Sequence, residues 1–123
     1  MTMKYEVFQI VLSESIRDTI EICMRAGQPD RALEMYPEYK AYLSASLGKY
    51  EEYYFRYYSH VADIEAETLD GVFRIGNIGP EYAIDRFKPM HSISVGDIIF
   101  DGERFHLVAP IGFVDITRVK VAA

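Results

Sequence analysis

Apolar side chains run nearly unbroken from Lys4 to Leu12, with only Glu6 and Gln9 interrupting Val, Ile, Phe and Tyr. A short run of β-branched and aromatic residues predicts a strand, here one buried on both faces. The period then changes. Ser15 followed by Asp18 is a capping-box-like start, and Ile16, Ile20, Cys23 and Met24 recur at helical spacing up to Gly27, a natural stop. Asp30 offers an N-cap for a short helix through Tyr36. Pro37 suits the first turn of another, with Tyr39, Tyr42, Leu43 and Leu47 on one side as far as Gly48. Tyr50, Tyr53, Tyr54, Tyr57 and Tyr58 fall at i, i+3, i+4, i+7 and i+8, which predicts a helix, with a strand as the alternative for its last residues.

Val61 to Ala66 alternates imperfectly and reads as a strand. Thr68 caps a short helix carrying Leu69, Val72, Phe73 and Ile75, weakened by Gly71. From Ile78 to Pro89 no period is visible, and the segment reads as an extended, mobile loop. Ser94-Val95-Gly96-Asp97 is a turn and Ile98 to Phe100 a strand. Asp101-Gly102 is a two-residue hairpin signal, Arg104 to Ala109 the returning strand, and Phe113 to Val121 a further one. Together these predict a single α+β domain over residues 1–123: an N-terminal strand, a Tyr-rich helical middle and a C-terminal antiparallel β meander or small curled sheet.

Composition narrows the functional classes. The chain has 123 residues, half of them hydrophobic, which fits one packed domain and excludes a disordered or low-complexity chain. Nineteen acidic against thirteen basic side chains give a net charge of −6, so no basic stripe for a nucleic-acid backbone is in view. Asp63, Glu65, Glu67 and Asp70 cluster without a base among them, either as a base-seeking or DNA-mimicking surface or as a solvated edge. A lone cysteine, Cys23, excludes an internal disulfide and a Cys-based metal cluster, and reads as a core residue. Residues 5–12 are too short to span a membrane and no cleavage site follows them, so a cytoplasmic protein is expected.

Candidate chemistry is sparse. His60, His91 and His106 lie apart, with no metal-ligand spacing, so no metal and no cofactor are expected. His91, Ser92, Ser94 and Asp97 look like a triad in sequence, but no nucleophile elbow surrounds either serine. A turn held by Ser94 and Asp97, with Gly96 at positive φ, explains the same residues; His91, Ser92, Ser94, Asp97 and Phe113 are therefore turn or binding candidates, and no catalytic residue is assigned. Eight of the ten tyrosines lie between Tyr36 and Tyr58. Tyr is favoured where one end of a side chain is dry and the other wet, so Tyr50, Tyr53, Tyr54, Tyr57 and Tyr58 are candidates for contact with a protein partner, a host protein or a second copy.

The stretch Met90-His-Ser-Ile-Ser-Val-Gly-Asp-Ile-Ile99, followed by Gly112-Phe113, resembles YodL-like domains. It is also similar to uncharacterised small proteins of bacteriophages, plasmids and other mobile elements, in which a His-Ser-x-Ser-Val-x-Asp-Val-Ile block precedes a β-hairpin and a Gly-Phe pair. The similarity spans residues 90–116 and implies a genomic context, not a reaction; it brings no catalytic residues with it. The expected function is that of a non-enzymatic phage or mobile-element accessory protein that binds and modulates a host or defence protein. Two alternatives stand beside it. One is an RNA- or nucleotide-binding module with a PUA-like small barrel, which requires a basic pocket from Arg74, Arg86, Lys88 and Arg104. The other is a small hydrolase or lyase using His91 and Asp97 in a shared pocket.

Overall fold

The computed structural model describes residues 1–117. An N-terminal strand, a helical middle and a C-terminal antiparallel sheet give the mixed α+β architecture expected. Strand β1 (Met3–Gln9) ends at Gln9, and three helices follow: α1 (Glu14–Arg25), α2 (Pro29–Met35) and α3 (Pro37–Ser46). A 3₁₀ turn at Glu52–Tyr57 leads into β2 (Ser59–Ala66), then α4 (Leu69–Ile78), β3 (Ile84–Arg86), β4 (Ile98–Phe100), β5 (Phe105–Val108) and β6 (Phe113–Asp115). The sheet is open, wholly antiparallel, and ordered β3-β2-β1-β4-β5-β6. The first strand made is thus one of its two central strands.

Alternation divides that sheet into two unlike faces. Tyr5 and Val7 of β1, Ala62, Ile64 and Ala66 of β2, and Ile99 of β4 point to one side, where Val72 and Ile75 of α4 and Ile93 complete a dry core. Even-numbered β1 residues point to the other side. Lys4 and Glu6 lie there opposite Glu65 and Asp63, and Phe8 lies opposite His60. A register shift between Val7 and Phe8 leaves Val61 as the extra residue of β2, and its carbonyl accepts from the amides of Phe87 and Lys88. The bulge therefore holds the chain after β3 against the start of β2.

Several local expectations are corrected. Ser13, not Ser15, caps α1: its hydroxyl accepts from the Ile16 amide, so the helix starts two residues earlier and runs to Arg25. Asp30 does not cap α2; Gln28 holds that position and Asp30 lies in the first turn, where its charge suits the helix dipole. Met24 and Leu47 are exposed, because α1 to α3 pack mainly through Cys23, Ala32 and Tyr39. Strand β1 stops at Gln9 and is not evenly buried, since Phe8 and Glu6 lie on the thinner-covered face. The tyrosine run is a 3₁₀ turn, whose threefold period scatters side chains that an α-helix would align. Segment 78–89 holds a short 3₁₀ turn, Glu81–Ala83, and the edge strand β3, whose pairing with β2 the sequence period is too short to reveal. The β4–β5 hairpin closes between Asp101 and Arg104, so Gly102 and Glu103 are its central pair, not Asp101 and Gly102. Gly102 has the positive φ that such a turn needs, +102°. Beyond Asp115, part of the strand expected through Val121 lies outside the described residues.

Candidate functional site

The buried end of β1 carries a polar side chain where the pattern calls for an apolar one. Gln9 is fully buried, and its amide is used at both ends: Nε2 donates to the His91 carbonyl (2.9 Å) and to Asp97 Oδ2 (3.0 Å), while Oε1 accepts from the His91 amide (3.2 Å). Asp97 Oδ2 also accepts from the Ser94 amide at 2.9 Å. Gln9 thus ties the 91–97 segment to the central strand at both its ends. Gly96 must be glycine. Its φ is +96°, and a Cβ there would lie 2.7 Å from the Ala45 carbonyl carbon, so the turn sits directly on α3. The Tyr58 hydroxyl closes the arrangement by donating to the Gly96 carbonyl.

The electrostatics follow from this enclosure. Burial pushes the Asp97 carboxyl up to about 6, against the opposing pull of His91, the Ser94 amide and Gln9. Burial and the facing Asp97 and Tyr50 raise the Tyr58 hydroxyl well above its ordinary value. His91 Nδ1 stands 3.9 Å from Asp97 Oδ2 and 2.8 Å from the Ser92 carbonyl, and its ring meets Tyr42 edge-on. His91 and Asp97 are therefore neighbours, as the third functional alternative requires. Ser92 and Ser94 are exposed, the Ser94 contribution being its backbone amide. The cavity touching Asp97, between Tyr42, Tyr58 and Ser94, measures about 10 Å³, room for a water and not for a substrate. Phe113 sits apart from this cluster, on β6 opposite Val108 and against the core of the covered face.

The tyrosines do not share one location. Tyr54 is buried with Ile10 and Ala41; Tyr50, Tyr57 and Tyr58 pack around them half-buried; Tyr53 is 49% exposed. A second aromatic group, absent from the sequence reading, occupies the thinner-covered sheet face. Ring centroids step from Phe87 to His60 (5.0 Å), to Phe8 (5.2 Å), to Phe105 (5.9 Å) and to Phe100 (4.4 Å), with Phe55 of the 3₁₀ turn against Phe8 and Phe105. Phe87 is 51% exposed and Phe55 is partly open, while the inner rings are partly covered. The signal that could have found this row is the even-numbered alternation Lys4, Glu6, Phe8, which a long apolar run obscures.

Beside the rings lies a row of carboxylates. Asp85 of β3 is in register with Asp63 of β2, and Asp63 with Glu6 of β1. Asp63 meets His60 Nε2 at 2.7 Å and Lys4 Nζ at 3.8 Å. Glu6 and Asp85 make no side-chain hydrogen bond or ion pair with any described residue. Of the four bases that the nucleotide alternative requires, Arg86 is tied to Glu81, and Arg104, on the β4–β5 connection, to Asp115. Among the described residues no group of His, Cys, Asp and Glu is placed to hold a metal ion, and no helix is long and apolar enough to cross a membrane.

No model of a known protein family matches the chain, and neither the curated proteins nor the solved structures contain a match.

Proposed function

We propose that the protein is a non-enzymatic binding protein whose partner docks on the ring row of the sheet, and that it acts as a phage or mobile-element accessory factor on a host or defence protein. One observation carries the reading: aromatic rings from four strand positions and two flanking segments lie side by side, partly open, on the sheet face opposite the α4 core. Contiguous, partly exposed aromatic area marks interaction surfaces. Against a catalytic role, Asp97 is committed to Gln9 and the Ser94 amide, and the space beside it holds no substrate. The setting in a bacterial host rests on the resemblance of residues 90–116.

Photo-cross-linking in a bacterial cell tests this. A benzoylphenylalanine at position 87 is expected to give a discrete adduct with one protein, and the same group at exposed position 47 on the far end of α3 to give none. No adduct from position 87, or the same adducts from both positions, would overturn it.

A further inference from the structure

We infer that the partner presents a cationic, arginine-bearing segment to the face formed by β3, β2 and β1. This rests on the ring row being the contact surface and adds the chemistry of what lies there. Asp85, Asp63 and Glu6 stand directly opposite one another across three strands. Like charges in that relation destabilise a sheet, and unlike charges or a bound cation relieve the repulsion. The chain relieves only the middle one. His60 and Lys4 reach Asp63, whereas the outer carboxylates, Asp85 and Glu6, face solvent or half-face it with no counter-charge from any described residue.

The carboxylate row runs next to the ring row, not apart from it. His60 is common to both: its ring lies between Phe8 and Phe87, and its Nε2 is bonded to Asp63. A flat group bearing positive charge satisfies both surfaces at once. A guanidinium stacks on an aromatic face and forks two N–H donors to a carboxylate, which an ammonium does less well and a phosphate not at all. The net charge of −6 draws such a segment in and repels a nucleic-acid backbone, although bare rings on a sheet are also what single strands stack on.

The experiment titrates the full chain, at moderate salt, with a short capped Arg-Gly repeat peptide, the same peptide with citrulline for arginine, and oligouridylate. The Arg-Gly peptide is expected to bind saturably and to shift the amide resonances of Glu6, Asp63, Asp85 and Phe87, and the citrulline peptide to bind at least about tenfold more weakly. Glu6→Gln and Asp85→Asn, at surface positions that leave the core untouched, should each weaken binding about threefold to tenfold, Phe87→Ala about tenfold, and Glu34→Gln on α2 not at all. Equal binding of the citrulline peptide, full affinity in both carboxylate variants, or binding of oligouridylate in place of the peptide would overturn the cationic partner. If a position-87 adduct persists in that event, the ring row stands as a contact surface for a partner of other chemistry; if it too is missing, both fail.

Discussion

The two faces of the sheet come from alternate residues of the same strands, yet they are finished differently. On one, Val7, Ile64 and Ile99, fully buried, meet Val72 and Ile75 of α4. On the other, Glu6, Phe8, His60 and Phe100 stay partly exposed, with Phe55 of the 3₁₀ turn against Phe8, while Ile98 and Leu107 beside them are buried. A small domain can leave one sheet face half-dressed only if enough apolar area is buried elsewhere. Here that burial is supplied by the α4 core and by two satellite clusters around Tyr54 and Tyr39. The tyrosines of the middle of the chain therefore belong largely with the packed part of the molecule, and the phenylalanines with its open part.

The sharpest break in that contrast comes from truncating the covered face. Ile64→Ala removes a fully buried side chain from the α4 core and should cost about 3–4 kcal/mol in chemical denaturation, with partner binding unchanged in the fraction that stays folded. Gln9→Leu is expected to cost about 2–3 kcal/mol, because it strands the Asp97 carboxylate and both backbone groups of His91 without changing volume much. Either variant proving neutral would mean that the buried side is less tightly specified than its geometry indicates.

Asp97 gives a pH signature on the same packed side. Its carboxyl rises from 3.8 to about 6 on folding, so between those values the folded chain holds a proton that the unfolded chain has released. Stability should therefore fall as pH rises from about 4 to 6, and the deficit should persist above 6. Asp97→Asn keeps an acceptor for the Ser94 amide, and its change at pH 7 should stay within about 1 kcal/mol while the slope across that window flattens. Thermal melts of both proteins from pH 4 to 7 measure this. A slope unchanged by Asp97→Asn would assign it to another group.

The smallest stability effect is expected where the binding effect is greatest. Phe87→Ala removes a half-exposed ring after β3 and should change stability by no more than about 0.5 kcal/mol. A loss as large as that of Ile64→Ala would place Phe87 in the core and erase the distinction between the faces.

Much of this was legible in the sequence. The Pro37 start of α3, the Thr68 cap of α4 and the Asp97 turn each carry a local chemical mark and stand where it puts them, and the β4–β5 hairpin forms with its turn one residue later than the Asp101-Gly102 mark. What was illegible depends on long-range pairing. Gln9 shows in the sequence only as a polar break in an apolar run, and its partners lie more than eighty residues away. Phe8, His60, Phe87, Phe100 and Phe105 come from separate segments that only the strand order brings side by side. The tyrosine run misled in the opposite sense, since its helical spacing was real but its backbone took the tighter 3₁₀ winding.

The open face can be tested against the tyrosine segment by amide hydrogen exchange on the protein alone and saturated with whatever partner the position-87 adduct identifies. Added protection is expected in residues 4–8, 59–65 and 84–88, with α1, α2 and α3 exchanging as before. Protection confined to the helices and the segment around Tyr53, with the strands of the ring row unchanged, would contradict it and return the contact surface to the tyrosines.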